Sequence, residues 1–325
     1  MAEPSGAPIE DLEPTLRGFM TGSGSTALGF ARWEHPSPRG RVVIAHGYGE
    51  HGERYRHTAL WLNRQGWAVS ALDQHGFGRS GGIRGDADSI KAPVEDLALF
   101  LRQEQLYDAG RLGGPFLPEA GVQARPAFPQ ILLGHSFGGL VAILTLLWHP
   151  DTLDALILSS PALKLRELPT PLKLLQMVFY WTARHHPLNL PGDKSQVCSD
   201  PAMVRRYQED PLCHHFISAG FVAAMAEGRR EILGLGAELE RPILVLEGDR
   251  DTVTDPDGAE QMWAAIRPGL LERHRLEGFF HEIFHDLGRS EAERLAAGWL
   301  DRLFPLGAST PAHPSAPFEQ AKEYS

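Results

Sequence analysis

Residues Gly134-His135-Ser136-Phe137-Gly138 stand between two apolar runs, Ile131-Leu132-Leu133 before and Gly139 to Trp148 after. The first run reads as a buried strand and the second as a buried helix. A serine with glycine two residues away on each side, at a strand-to-helix junction, is the pattern of a nucleophile held on a sharp turn. Side chains at the flanking positions would collide in so tight a turn, so Gly134 and Gly138 relieve it, and the serine itself takes a strained backbone conformation. The plain alternative is that Ser136 caps the following helix.

A serine hydroxyl is a weak nucleophile at neutral pH and needs a base, which needs an orienting carboxylate. After a serine on such a turn, the acid and then the histidine follow in chain order, each in a loop after a late strand. Leu246-Glu247-Gly248-Asp249-Arg250-Asp251 follows an apolar run beginning at Ile243, and Gly278-Phe279-Phe280-His281 follows another beginning near Leu271. Asp251 is the chosen acid, because a Gly-x-x-Asp step lets the chain leave the strand before presenting its carboxylate; Asp249 and Asp255 are its rivals. His281 is the chosen base, with His285 and His274 as alternatives. The oxyanion of acyl transfer needs backbone N–H donors. Phe137 N–H, next to the nucleophile, supplies one. Tyr48 N–H, in His46-Gly47-Tyr48-Gly49 after the Val42 strand, supplies the second.

One competing pattern overlaps the base. His281-Glu282-Ile283-Phe284-His285 matches the His-Glu-x-x-His zinc-protease signature, which requires both histidines on one helix face. Here the segment follows a glycine and a strand end, and no third ligand is identifiable. The serine reading explains four separate segments and the zinc reading one, so neither a metal nor a cofactor is expected. The paired histidines at 185–186 and 214–215 read as surface residues.

These residues require a scaffold. Val42-Val43-Ile44-Ala45, Trp67 to Leu72, the Ile131 run, Ala155 to Leu158, Ile243 to Leu246 and Leu271 to Leu276 read as strands. Tyr55 to Arg64, Val94 to Leu106, Gly139 to Trp148 and Glu291 to Leu303 read as helices. Such alternation predicts an α/β fold with a mainly parallel sheet covered on both faces. Residues 110–129, with four glycines and four prolines, read as an irregular loop. Residues 161–235 carry no convincing strand and read as a helical cap, with helices at Pro171 to Arg184, Pro201 to Glu209 and Ile217 to Leu233. The first of these is dense in Leu, Met, Phe and Trp. Its apolar residues fit packing onto the sheet domain and also the lining of an acyl tunnel. The resulting division is a mobile tail at 1–14, a core from 15–160 and 236–304, the cap, and a disordered tail at 305–325.

Composition narrows the partners. The chain has 325 residues, 42% of them hydrophobic, enough for a substantial core. A net charge of -10 argues against nonspecific attraction to nucleic acid or anionic membrane. Cys198 and Cys213 make no disulfide framework and are expected to be reduced thiols. With acidic residues Glu3, Glu10, Asp11 and Glu13 and no long apolar stretch in the first fifteen residues, no signal peptide is expected there. No run reaches the ~18 apolar residues of a membrane span. A soluble, cytoplasmic protein is expected, with peripheral membrane contact through the cap left open. Oligomeric state is not legible.

The chain resembles the monoacylglycerol lipase and lysophospholipase group of α/β-hydrolases, the serine aminopeptidase S33-like hydrolases. The resemblance rests on His46-Gly47-Tyr48-Gly49-Glu50-His51 with Arg54-Tyr55, on Asp73-Gln74-His75-Gly76-Phe77-Gly78-Arg79-Ser80, and on Gly134 to Gly139. Ser159-Ser160-Pro161-Ala162, Asp210-Pro211-Leu212, Gly248-Asp249-Arg250-Asp251 and His281-Glu282 continue it. It runs from about Gly18 to Leu303. The resemblance implies an α/β-hydrolase fold, catalysis by Ser136, Asp251 and His281, and an oxyanion hole at Tyr48 and Phe137. It also implies that Glu50, Arg54 and His135 lie near the polar head of an ester. Methionine is usual after the nucleophile in this group, and Phe137 departs from it. The loop at 110–129 looks longer than usual.

Family does not fix substrate. The first expectation is a small monoacyl lipid ester, with monoacylglycerol ahead of lysophospholipid. A third alternative is an aminopeptidase of the same fold, with Glu209 and Asp210 available to hold an α-amine. A fourth is a catalytically silent binding protein, against which the intact triad argues. Epoxide hydrolases and dehalogenases use an aspartate where this chain has Ser136.

Overall fold

The computed structural model of the chain describes residues 10–110, 129–165, 182–189 and 194–306. Most of the loop expected at 110–129, the helix expected from Pro171, and much of both expected tails lie outside the described residues.

Eight strands form one sheet in the order β1-β2-β4-β3-β5-β6-β9-β10. They are β1 (Leu16–Thr21), β2 (Ala27–Trp33), β3 (Gly40–Ala45), β4 (Trp67–Leu72), β5 (Gln130–His135), β6 (Ala155–Ser159), β9 (Ile243–Gly248) and β10 (Leu271–Leu276). From β4 to β10 every pairing is parallel, while β1 and β2 join antiparallel at one edge. The interior strands are almost continuously apolar because both faces are covered. Val43, Leu132, Leu156 and Val245 face one core, and Val42, Ile44, Ile131, Leu133, Ile157, Leu244 and Leu246 face the other.

Helices α1 (Arg56–Arg64) and α7 (Arg289–Leu303) cover the second face, and α2 (Lys91–Asp108) and α3 (Phe137–Trp148) the first. Between β6 and β9 the chain makes an excursion holding α4 (Pro201–Glu209) and α5 (Ala219–Ile232), and α6 (Glu260–Ala265) lies between β9 and β10. The excursion is not wholly helical: β7 (Leu188–Asn189) and β8 (Phe216–Ile217) pair antiparallel, and Leu165 bridges Thr254. Two-residue strands have too few positions to show alternation, so the sequence reading of no strand in 161–235 is corrected here.

The hairpin β1–β2 is also absent from the sequence reading. Its strands are broken by Gly18 and Gly29, which weakens a strand pattern, yet a Cβ on Gly18 would stand 2.6 Å from the Phe30 ring. The glycine is there to admit that ring. Helix α2 runs further than its apolar pattern because its last turns bury charge. Glu104 pairs with Arg32 at 2.6 Å and Asp108 with Arg41 at 2.6 Å. Among the described residues, no helix is long and apolar enough to cross a membrane.

In the sheet, β3 leads to β4 on one side, and the chain then crosses back to β5 on the other. The carboxyl ends of β3 and β5 therefore adjoin where strand order reverses, the usual position for a ligand in an open α/β sheet.

Candidate active site

Ser136 sits between β5 and α3 with φ +51° and ψ -115°, outside the conformations ordinary residues favour. The turn is tight enough to explain its glycines. A Cβ on Gly138 would lie 2.1 Å from the Ala45 carbonyl oxygen, and one on Gly134 would lie 2.7 Å from the Gly138 carbonyl oxygen. Ser136 makes no side-chain cap on α3. Its hydroxyl instead lies 2.8 Å from His281 Nε2.

His281 Nδ1 lies 2.8 Å from Asp251 Oδ2. Asp251 can only accept there while ionised, so Nδ1 carries the proton and Nε2 accepts from the serine hydroxyl. Asp251 is held by three more donors. Val253 N and Thr254 N donate to Oδ1 at 2.7 and 2.9 Å, and Thr254 Oγ1 donates to Oδ2 at 2.6 Å. Burial pushes this carboxyl up, but the His281 ring and the Thr254 hydrogen bonds outweigh it and hold the group well below the usual carboxylate range. Gly248 lets the two loops close: a Cβ there would lie 2.3 Å from the Phe279 carbonyl oxygen, and Arg250 N donates to that oxygen at 3.0 Å.

The rivals lie elsewhere. Exposed Asp249 accepts from Gly278 N at 2.7 Å, and Asp255 pairs with Lys164 at 2.7 Å. His274 lies 2.9 Å from Glu272. Residues Ile283–His285 form a 3-10 turn rather than an α-helix, and His285 packs edge-on against Tyr55 and His57, with ring centroids 4.8 and 4.9 Å away. With both nitrogens of His281 engaged, the His281–His285 segment is not arranged as a pair of metal ligands. His185 pairs with Asp86 at 3.1 Å, whereas His214, expected on the surface, is buried and stacks on Phe77 at 5.1 Å. Among the described residues, the potential ligand atoms of His51, Asp210 and Cys213 come within 4.8 Å of one another. A hydrogen bond of 2.8 Å between His51 and Asp210 already engages two of them. No disulfide joins Cys198 and Cys213.

The turn after β3 lies beside Ser136. His46 Nδ1–H donates to Gly47 O at 2.8 Å while its Nε2 accepts from Gln74 N at 2.9 Å. Glu50 Oε1 accepts from Gly47 N at 2.6 Å and from the Tyr55 hydroxyl at 2.9 Å. These bonds fix Gly47 to Glu50 as a rigid loop carrying Tyr48. Phe137 is the first residue of α3, so its N–H has no carbonyl partner within the helix.

Glu50, Arg54 and His135 are all placed next to this centre. Arg54 is buried between Glu50, which it contacts closely, and Glu282 at 2.9 Å. Burial acts against Glu50's charge, but Arg54 and His135 hold its carboxyl well below the usual range. His135 lies 4.9 Å from the His281 ring and is pushed down to about 4 by burial and by that neighbour. Sequence reasoning missed Thr254 and the pairing of Glu282 with Arg54. A hydroxyl three residues after Asp251 was a visible signal for the first. The second joins residues far apart in sequence and left none.

Comparison with known proteins places the chain in a family. Residues 36–288 match the Hydrolase_4 family model, described as serine aminopeptidase, S33. The chain is 31% identical over 273 residues to a monoacylglycerol lipase of Mycolicibacterium smegmatis, covering 82% of this chain and 90% of that one. It is 27% identical to the human monoglyceride lipase, covering 79% of this chain and 81% of the relative. The crystal structure of Paleococcus ferrophilus monoacylglycerol lipase superposes with a TM-score of 0.70 at 28% identity, covering 84% of this chain and 98% of that one. A Saccharomyces cerevisiae monoglyceride lipase, at 19% identity, shares the fold with a TM-score of 0.76, over 92% of this chain and 99% of that one. With a strained serine elbow on a mainly parallel sheet and a family match across most of its length, this chain belongs to the Hydrolase_4 (serine aminopeptidase, S33) family of α/β-hydrolases.

Proposed function

We propose that the chain is a serine carboxylic-ester hydrolase of monoacyl lipid esters, working through Ser136, His281 and Asp251. The observation that carries this reading is the unbroken hydrogen-bond chain from Asp251 through His281 to a serine on a strained turn. In the acylation step Ser136 Oγ attacks the ester carbonyl carbon and its proton passes to His281 Nε2. The carbonyl oxygen becomes an oxyanion facing Tyr48 N–H and Phe137 N–H. Collapse of this intermediate breaks the bond to the alcohol, which leaves with the proton from His281. Water then repeats the sequence on the acyl-serine, giving a fatty acid and regenerating Ser136.

Residues 15–160 and 236–304 form the hydrolase core in this reading, and 161–235 the cap. Glu50, Arg54 and His135 frame the wall nearest the polar head. The monoacyl preference rests on sequence alone, on the density of apolar residues at Leu172, Leu174, Leu175, Met177, Val178, Phe179 and Trp181. One short insertion suits one acyl chain rather than two or three. A cytoplasmic enzyme meeting lipid at a membrane surface fits this substrate. The peptidase alternative draws no support from Asp210, whose carboxylate pairs with His51 and accepts from Leu212 N.

A substrate panel tests the reading: monoacylglycerols of increasing length, triacylglycerol, lysophospholipids, nitrophenyl esters and aminoacyl arylamides, each with wild type and Ser136→Ala. Monoacyl esters should be preferred, with kcat/KM rising up to about fourfold per added methylene until the chain is accommodated. A fluorophosphonate should label Ser136, and Ser136→Ala should lose both labelling and turnover. A flat chain-length profile, or an arylamide cleaved faster than every ester, overturns the lipid-ester assignment. Turnover unaffected by Ser136→Ala overturns the mechanism.

A further inference from the structure

The two N–H groups assigned to the oxyanion come from distant parts of the chain, yet the side chains of their residues converge. Phe221, in the first turn of α5, lies between them. Its ring centroid is 5.4 Å from Tyr48 and 4.8 Å from Phe137. Phe77 completes the cluster, 5.7 Å from Phe221, 5.9 Å from Tyr48 and 6.4 Å from Phe137. Phe221 is buried, as are Phe77 and Phe137.

The helix end carrying Phe221 is itself fixed to the sheet domain. Ser218 Oγ accepts from Phe221 N at 2.9 Å and contacts Asp86 closely. Ser218 N donates to Gly85 O at 2.9 Å. A Cβ on Gly220 would lie 2.9 Å from Ala87 O, so the first turn of α5 lies against the loop after β4. The excursion also grips the Tyr48 loop by its backbone. His214 N donates to Gly49 O at 3.0 Å, the Tyr207 hydroxyl lies 3.0 Å from the same oxygen, and the Tyr48 hydroxyl donates to Phe216 O at 2.7 Å.

We propose that Phe221 is a positioning residue that sets the separation and aim of the Tyr48 and Phe137 N–H donors. The proposal rests on the oxyanion assignment above and extends it to a part of the chain that sequence reasoning read only as cap. Donors act at full strength only at about 2.7–3.1 Å from the developing oxyanion. A close-packed interior transmits a change in side-chain volume to the backbone. Removing the ring between two donor-bearing side chains lets both relax into the space. This part of the excursion therefore shapes the transition state. Phe137 gives Phe221 a second aromatic ring to pack on.

The test compares Phe221→Leu and Phe221→Ala with wild type in the full chain. Four quantities are read: kcat and KM on a nitrophenyl acyl ester, Ki for the matching acyl trifluoromethyl ketone, and Ki for the matching alkyl ether. The ketone forms a hemiketal oxyanion on the serine and the ether cannot. For Phe221→Ala the expected result is a kcat loss of roughly 10- to 100-fold. Ketone affinity should fall in parallel with kcat/KM, while KM and ether affinity stay within about threefold. Phe221→Leu should lie between this variant and wild type. A folded variant with wild-type kcat, or losses carried by KM and the ether, overturns the proposal. Should Phe221→Ala fail to fold, Phe221→Leu decides by the same ketone-to-ether comparison, and Asp86→Asn, which loosens the Ser218 anchor without touching the ring, should lose ketone affinity in the same sense. Failure of the underlying reading looks different: the wild type would not be labelled by fluorophosphonate, and Ser136→Ala would keep its turnover.

Discussion

Replacing Asp251 by asparagine changes one atom and should stop turnover. The carboxylate oxygens are not equivalent. Oδ1 accepts two backbone N–H groups, from Val253 and Thr254, and Oδ2 faces the Thr254 hydroxyl and His281 Nδ1. Backbone donors cannot reverse, so the asparagine carbonyl must take the Oδ1 position and its amide nitrogen the Oδ2 position. The Thr254 hydroxyl can rotate to accept. His281 can accommodate the new donor only by moving its proton from Nδ1 to Nε2. The ring then points an N–H at Ser136 and cannot take the serine proton. A wrong-tautomer base costs ~10⁴ in kcat, about 5 kcal/mol of transition-state stabilisation. Stopped-flow turnover of a nitrophenyl ester and the rate of fluorophosphonate labelling should both fall by about that factor. Asp249→Asn is the control: its carboxylate is exposed and accepts from Gly278 N, so its turnover should stay within about threefold of wild type. A folded Asp251→Asn enzyme retaining more than about a tenth of wild-type kcat, or an Asp249→Asn enzyme that loses it, would refute the assignment.

Two further outcomes follow from the buried titratable groups. Burial is the main cause that pushes both His57 and His135 down to about 4, so the folded chain keeps them neutral while the unfolded chain takes up protons near pH 6.5. Their contribution is intact above that pH and is lost as pH falls towards 4, roughly 3 kcal/mol for each; urea midpoints should drop between pH 7.5 and 5, and a flat profile would refute the reasoning. Arg54→Met should leave Glu50 and Glu282 as buried carboxylates without their shared cation, destabilising the fold by about 3–5 kcal/mol; a thermal melt within 2 °C of wild type, about 1 kcal/mol or less, would show that water already screens the pair.

How much of this was legible in sequence depended on whether the determining contacts were local. The interior strands could be read because burial on both faces demands uninterrupted apolar runs, and Val42 to Ala45 or Ile243 to Leu246 can do little else. Ser136 could be read because its turn excludes side chains at Gly134 and Gly138, a requirement met within five residues. Asp251 and Asp249 were both candidates from sequence, since each follows β9 by a few residues. What separates them spatially is Gly248, whose missing side chain lets the Phe279–His281 loop approach on one side of the turn. The β1–β2 hairpin was hidden because its glycines serve a cross-strand ring at Phe30 and weaken the alternation a strand would show. The burial of Glu104 and Asp108 was hidden for a related reason: charged residues are read as surface, and their partners Arg32 and Arg41 lie on strands far along the chain.

The same principle explains the unequal yield from the residues that frame the site. Glu50 and Arg54 are visible as a motif, but its spelling does not say what they do. In space each is already engaged. Glu50 ties Gly47 to Tyr55, and Arg54 joins Glu50 to Glu282, the residue after His281. Their charges are turned inward, so under the proposed function a neutral glycerol head should fit this wall better than a charged one, which would have to compete with carboxylates that Arg54 already holds. The expected order is monoacylglycerol ahead of lysophospholipid at any given acyl length. It can be checked by comparing the two substrates at equal chain length. If Arg54 is held by both carboxylates, the lysophospholipid should show the lower kcat/KM, and raising ionic strength should leave the gap unchanged, because a buried ion pair is screened far less than an exposed one. A lysophospholipid preference that weakens with salt would mean that Arg54 faces the phosphate instead, and the buried pairing would not describe the working site.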